Sequence, residues 1–352
     1  MKHTRKPLII TLFSALFATL LVACSSSTLK RDEYVIFFPD SASLSADGNW
    51  KLPVHNWVFE KEEGHLSRKF TQKAFEEVLE GLGVSEKQAS SPRTRQRLMW
   101  FLVDNQRGKQ LAVELHGKIE KLNKTAPNGH AYTTLELPAK SIKKRGGWVA
   151  LKVQDKYQRD FSGEVQLIPE QGVSVISDID DTIKISEVLD KKALVRNIFA
   201  KPYLATPGFP EYYKKLQQQG AYFHYVSASP WQLYPSLKPF MLANYPKGTI
   251  SLRNFRIKDS SLMRFLQSSQ KYKLDTISKI IKRYPKHQFI LIGDSGEHDP
   301  EVYAEIYSKY PENIKSIQIR VVEGSNMANE RFNKLFLKAP KTLWKIYSVP
   351  GQ

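Results

Sequence analysis

One cysteine in 352 residues, Cys24, leaves the chain no intrachain disulfide and no thiol pair for a metal. Acidic residues are also under-represented: 35 Asp and Glu face 53 Lys and Arg, a formal charge of +18. A balance of that sign favours polyanionic partners, either nucleic acid or a surface of anionic lipid. There is no zinc-finger spacing, aromatic RNA-binding signature or Gly-rich basic tail, so no nucleic acid is expected as a partner. Long apolar runs are scarce too. Leu8 to Val22, broken by Thr11, Ser14 and Thr19, falls short of the roughly 20 residues a membrane span needs. Internal repeats and long low-complexity segments are absent, and nothing in the residues sets an oligomeric state.

That short run has the layout of a secretory signal: Lys2, Arg5 and Lys6 precede it, and it ends in Leu21-Val22-Ala23-Cys24. The ending resembles the lipobox of bacterial lipoproteins. The resemblance implies loss of residues 1–23, acylation of Cys24 and a tether over 24–33. Several acyl chains would give lasting attachment to a bilayer. Ser25, where an aspartate would signal inner-membrane retention, implies an outer-membrane position in the bacterial envelope, facing the periplasm or the cell surface. A plain cleaved signal, or a single anchor with a chance cysteine, is the alternative. Without Lys2, Arg5 and Lys6 the charge falls from +18 to +15, enough to draw the protein onto anionic head groups.

Residues 34–171 read as a β-rich accessory domain, a small sandwich or barrel. Val35–Phe38, Trp57–Glu60, Leu98–Val103, Leu111–Leu115, Tyr132–Leu137, Trp148–Val153 and Glu164–Leu167 are the candidate strands. One amphipathic helix interrupts them, with Phe70, Ala74, Phe75, Val78, Leu79 and Leu82 on one face. No constellation there carries chemistry. From Gly172 continuous apolar strands alternate with helices, which predicts an α/β domain over 172–322 with a Rossmann-like parallel sheet covered on both faces. A basic, aromatic extension occupies 323–352.

In such sheets reactive groups gather beyond the carboxyl ends of the strands. The first strand, Val173–Ser177, runs straight into Asp178-Ile179-Asp180-Asp181-Thr182. Carboxylates this crowded repel one another unless a cation sits among them, and hard oxygen ligands suit magnesium. An acidic turn capping a helix is the structural alternative. The second strand ends at Ser227-Ala228-Ser229, where a hydroxyl and backbone N–H groups can hold a phosphoryl oxygen. A later strand ends in Gly293-Asp294-Ser295-Gly296-Glu297-His298-Asp299, and Lys273 opens the helix before it.

Taken in order, Asp178-x-Asp180-x-Thr182, Ser227, Lys273 and Gly293-Asp294 with Asp299 resemble the haloacid dehalogenase superfamily of phosphotransferases. The closer likeness is to the phosphatidate phosphatase catalytic domain of the actin-patch-protein type. Ala228 replaces an expected asparagine, and Gln270-Lys271-Tyr272-Lys273 replaces an expected His-Lys pair, so Lys271 competes with Lys273. The resemblance implies that Asp178 is the nucleophile and Asp180 the general acid and base. It implies that Ser227, Lys273 and Thr182 serve the phosphate site. Mg2+ would be held by Asp178, Asp180 through its backbone carbonyl, and Asp294, with Asp299 completing the acidic group and orienting Lys273 or a metal-bound water.

Only 44 residues separate Thr182 from Ser227, and 45 separate Ser227 from Lys273. Neither gap holds a large cap, so an open site suited to a bulky phosphomonoester is expected. A phospholipid is the expected substrate, phosphatidate in particular. Pro230-Trp231 with Tyr234, and the stretch Arg331 to Tyr347, are candidates for membrane contact; for the latter a final helix packed on the sheet is the alternative. Three other functions are compatible with these motifs: a periplasmic phosphatase of soluble monoesters, an enzyme cleaving lysophosphatidate or a polyprenyl phosphate, and an inactive surface-tethered adhesion or assembly module.

Overall fold

The computed structural model describes residues 28–61, 66–141, 146–254, 270–325 and 329–350. Cys24 and the signal-like run lie outside them, as does the side chain of Phe70.

The first half is a two-layered β structure. Its strands are β1 (Glu33–Phe38), β2 (Asp40–Leu44), β3 (Asn49–Glu60), β4 (Asp104–Asn105), β5 (Ala112–Leu115), β6 (Lys118–Lys121), β7 (His130–Pro138), β8 (Trp148–Val153) and β9 (Ser162–Leu167). β3 is the long spine of one layer, pairing with β1, β4 and β7; β2 leaves it to pair with β9, which leads through β8 and β5 to β6. Period-two alternation turns Trp50, Leu52 and Val54 of β3 inward onto Val113, Leu151 and Val165 of the other layer, giving the sandwich core.

Three helices branch from it: α1 (Leu66–Gly81), α2 (Glu86–Ala89) and α3 (Pro92–Met99). The segment expected as a strand at Leu98–Val103 instead ends α3. Ser91 caps that helix, its Oγ accepting from Thr94 N at 3.3 Å, and Pro92 stands at its first position. On α1, Ala74 and Val78 of the expected apolar face are exposed, while Leu79 is buried. The expected tether also ends sooner. Arg159 donates to the carbonyls of Lys30, Arg31 and Glu33, and the buried Glu33 pairs with Lys109 at 2.7 Å, so residues 30–33 are strapped to the sandwich.

The second half is the predicted parallel sheet, built from β10 (Gln171–Ser177), β11 (Tyr222–Pro230), β12 (Thr249–Arg253), β13 (Lys286–Asp294), β14 (Ile314–Arg320) and β15 (Trp344–Tyr347). The order is β12-β11-β10-β13-β14-β15, and each neighbouring pair is parallel. Its helices are α4 (Lys191–Val195), running into a π turn at Arg196–Ala200, α5 (Phe209–Gln218), α6 (Tyr234–Asn244), α7 (Gln270–Arg283), α8 (Asp299–Lys309) and α9 (Asn329–Leu335). The sheet does not stop at Val322. β15 adds a sixth strand beside β14, and Phe332, Phe336, Trp344 and Tyr347 are buried. These aromatics fill the core, which removes them from membrane contact.

The halves share a core. Phe38, Trp57, Phe59, Leu79 and Leu98 pack in one cluster with Val195, Phe199, Trp231 and Tyr234. Trp231 and Tyr234 are 4% and 5% exposed, so they too face protein rather than lipid. Arg97 from α3 donates to the carbonyls of Ile198 and Lys201 at 2.6 and 2.9 Å, while Arg283 pairs with Asp40 at 2.7 Å.

Candidate active site

From β10 the chain moves to β11 and β12 on one side, then returns to β13 and β14 on the other. The crevice of such a sheet lies where the order reverses, beyond the ends of β10 and β13. Asp178 follows β10 and Asp294 ends β13; Asp178 N donates to Ile292 O at 2.9 Å, fixing the two strand ends side by side.

The crowded carboxylates of 178–181 are separated by giving each its own partners. Asp178, 2% exposed, meets Lys273 Nζ through Oδ1 at 2.8 Å and accepts from Thr182 Oγ1 through Oδ2 at 3.2 Å. Asp180 pairs with Lys184 at 2.7 Å and accepts from Ser186, Ser227 and Ser229 at 2.8, 3.0 and 2.8 Å. Asp181 takes a left-handed backbone, φ 52°, and accepts from the backbone N–H of Ser186, Glu187 and Val188. Its carbonyl accepts from Arg320 at 2.5 Å. Asp181 therefore ties down the loop in a conformation rare for a side-chain-bearing residue.

Lys273 is the hub. Reaching up from α7, it contacts Asp178, Glu297 and Asp299 at 2.8, 2.8 and 2.6 Å, and it is 3% exposed. Lys271, its rival in the sequence, is exposed. Burial alone would lower the pKa of Lys273, but Asp178, Asp299, Glu297 and Asp294 outweigh it and hold the ammonium well above its ordinary value. Burial pushes the carboxyls of Asp178 and Asp294 well upward; Lys273 opposes it, and the charges of Asp299 and Glu297 add to it at both. Burial also acts to raise Asp180, but the Lys184 charge and the hydrogen bonds from Lys184, Ser186 and Ser229 hold it below its ordinary range.

Asp178, Asp294 and Glu297 can bring carboxylate oxygens within 4.8 Å of one another. Asp294 Oδ2 is buried with no hydrogen-bond partner, while its Oδ1 accepts from Gly296 N and Glu297 N at 2.7 and 2.9 Å. An oxygen-only donor set with one unspent carboxylate oxygen fits a hard divalent cation. Two further residues are expected there, Asp180 through its backbone carbonyl and Asp299 through its side chain. The Asp180 side chain is committed to Lys184, and Asp299 to Lys273 and to Asp294 N at 3.2 Å. Gly293 makes room for Asp299, since a Cβ there would lie 2.4 Å from its Oδ2. Glu297, Lys184, Ser186 and Ser229 were not singled out by the motifs; all four lie within or beside them.

Residues 173–321 match the family model described as "Phosphatidate phosphatase APP1, catalytic domain". Phosphatidate phosphatase APP1 of Saccharomyces cerevisiae is 39% identical over 158 residues, covering 44% of this chain and 27% of that protein. An uncharacterised protein of Schizosaccharomyces pombe is 33% identical over 174 residues, 48% of this chain and 28% of that protein. The chain thus spans little more than a quarter of the length of these curated relatives. A class C acid phosphatase from Bacillus anthracis with tungstate bound aligns at 14% identity and a TM-score of 0.27, over 48% of this chain and 79% of that one. At that distance it carries no argument. Residues 173–321 are therefore similar in sequence to the catalytic domain of phosphatidate phosphatase APP1.

Proposed function

We propose that the chain is a magnesium-dependent phosphatase that hydrolyses phosphatidate to diacylglycerol and phosphate, anchored in a bacterial envelope through acylated Cys24. The observation that carries the reading is the position of Asp178. It lies at the reversal point of a parallel sheet, beside a charged lysine and two further carboxylates.

An Asp178 carboxylate oxygen attacks phosphorus, the ester P–O bond breaks, and the alkoxide leaves with a proton; water then cleaves the aspartyl-phosphate. Lys273 offsets charge on the nucleophile and on the incoming phosphoryl oxygens, and Asp299 holds Lys273 in place. Thr182 fixes the rotamer of Asp178. Asp178, Asp294, Glu297 and the Asp180 carbonyl would hold Mg2+, which when bound offsets negative charge on the phosphoryl group. Asp180, ionised against Lys184, is suited to take the proton of the hydrolytic water. Donating to the alkoxide requires Asp180 to be protonated, so that role calls for it to part from Lys184 as substrate enters. Ser227 would exchange its bond to Asp180 for one to a phosphoryl oxygen.

The lipid reading rests on the relative's printed name, the lipobox-like run and the charge. Among the described residues no helix is long and apolar enough to cross a membrane. Phosphate release from phosphatidate, lysophosphatidate, a polyprenyl phosphate, glycerol phosphate and nucleotides tests the proposal. A large kcat/KM advantage for phosphatidate, reduced by diluting it with neutral detergent, is the expected result. Equal turnover of soluble esters would move the reading to a general phosphatase, and no turnover at all would leave an assembly module.

A further inference from the structure

Two of the groups on Asp180, Lys184 Nζ at 2.7 Å and Ser186 Oγ at 2.8 Å, come from the loop that follows it. Neither is anchored by that loop alone. Asn197, in the π turn at Arg196–Ala200, donates Nδ2 to the carbonyl of Ser186 at 3.0 Å and to Glu187 Oε2 at 2.8 Å. Just past the turn, the Tyr203 ring lies against Lys184, with Nζ 5.2 Å from its centroid. Leu204 O accepts from Ile185 N at 2.9 Å and Ala205 bridges to Lys184, which fixes this leg of the chain beside the loop. A π turn is a rare, wide form of helix that recurs at functional sites.

The turn is braced from the accessory half. Arg97, reaching from α3, donates Nη1 to the carbonyls of Ile198 and Lys201 at 2.6 and 2.9 Å. Its guanidinium stacks 3.7 Å from the centroid of the Tyr203 ring, and Tyr203 Oη donates to the same Ile198 carbonyl at 3.2 Å. Arg97 is 6% exposed, and among the described residues no carboxylate forms a salt bridge with it. A charge buried without a counter-ion costs free energy, and an apolar side chain would fill the same space without that cost. Two routes thus run from Arg97 to Asp180. One passes through the turn, Asn197 and Ser186; the other passes through the Tyr203 ring and Lys184.

We propose that Arg97 is a positioning residue for Asp180: by bracing the turn and the Tyr203 ring it keeps Ser186 and Lys184 on that carboxylate, so the accessory half helps to place the group that protonates the leaving alcohol. This rests on the phosphatase reading above and gives it a part from outside the segment that resembles the family. Asp180 has to part from Lys184 to serve the leaving alkoxide and then return. A lysine held by a stacked ring gives the carboxylate up and takes it back in one place. A loose one leaves it misplaced, and an error of about 1 Å in such a group is costly in rate.

The test uses the full chain and two soluble esters of similar size. Benzyl phosphate loses an alkoxide that needs a proton, whereas p-nitrophenyl phosphate loses a phenolate that does not. Arg97→Ala should lower kcat/KM, which reports the steps up to loss of the alcohol, about tenfold or more for benzyl phosphate. For p-nitrophenyl phosphate the loss should not exceed about twofold. Arg97→Lys, whose single ammonium cannot span both carbonyls and stack flat, should show the same selective loss and serves if the alanine variant does not fold. A merely structural role would lower both esters alike, so equal losses, or none, would overturn the proposal. Wild type that hydrolyses neither ester nor phosphatidate would overturn the phosphatase reading and this inference with it. Hydrogen–deuterium exchange needs no turnover. In Arg97→Lys the amides of Ser186, Glu187 and Val188, which donate to Asp181, should exchange about tenfold faster while those of β3 keep the wild-type rate. Unchanged exchange at those three amides would overturn the proposal even with the phosphatase reading intact.

Discussion

Lys273 Nζ lies 2.8 Å from Asp178 Oδ1 with both side chains closed off from water, 3% and 1% exposed. A buried ammonium among four carboxylates is held there by their field, and those carboxylates depend on it in turn. Lys273→Met should therefore abolish turnover and destabilise the fold by about 3–5 kcal/mol, the cost of leaving buried charge unpaired. Lys271→Met, on the exposed side of the same helix, should change stability by no more than about 0.5 kcal/mol and leave activity intact. Denaturant midpoints and phosphate release on the two variants check this; similar losses would contradict the assignment of Lys273.

Asp178→Asn should behave oppositely on the two readouts. Burial and neighbouring carboxylates disfavour the ionised form of Asp178, so a neutral amide should leave the unfolding midpoint at pH 7 unchanged or higher. Turnover should fall by about 10³ or more, because an amide cannot form the aspartyl-phosphate. Near-normal turnover with Mg2+ present would end the proposed mechanism.

The strands β10 and β13 and the acids at their ends were legible because each is a continuous apolar run meeting aspartate, a pattern that needs no knowledge of distant residues. The partnerships were not. Lys184 reaches Asp180 over a loop whose left-handed residue, Asp181, no periodicity announces. The tail left two readings open, a membrane-facing stretch and a helix packed on the sheet: the helix Asn329–Leu335 with buried Phe332 takes the packed one, and beyond it only the pairing of Trp344 with Ile317 reveals an edge strand. In the sandwich, the apolar run after Arg97 matched a strand by length, although Ser91-Pro92 upstream is a helix-start signal. Arg97 and the His55–His130 pair carried no motif, since only register and tertiary packing bring them to their partners.

The two possible metal sets can be separated by thermal shift. Mg2+ at a hundredfold excess over its Kd should stabilise wild type by about 2.7 kcal/mol. Asp294→Asn should remove that shift and Glu297→Gln should weaken it. Asp180→Asn should keep it, because the Asp180 side chain belongs to Lys184. If Asp299→Asn lost the shift while Glu297→Gln kept it, the cation would have to sit on the set with Asp299.

For anchoring, the expectation is that the full-length chain made in a bacterium incorporates labelled palmitate and stays with membranes, and that Cys24→Ser does neither. Label retained in that variant would exclude Cys24 as the attachment point.

Acid should loosen the seam between the halves. Burial, together with the neighbouring His55, pulls the pKa of His130 down to about 2, and burial pulls that of the partly covered His55 to about 3, from an ordinary 6.5. The unfolded chain therefore takes up protons first as pH falls. The stability these imidazoles confer is complete above pH 6.5 and is lost progressively on the way down to their folded values, at up to about 1.4 kcal/mol per pH unit for each. Asp178 and Asp294 work the other way, since their raised pKa values make acidification relieve rather than create strain. Wild type alone would report the sum, so the informative quantity is the difference between it and His130→Phe, which keeps an aromatic ring against Trp231 without a titrating group. His130→Phe should lose less stability than wild type between pH 7 and pH 5 in denaturant titrations followed by tryptophan fluorescence. His224, also depressed to about 3 but inside the catalytic sheet, is unchanged in both proteins and cancels. Parallel pH profiles for the two would mean that His130 is not the group whose protonation opens the seam.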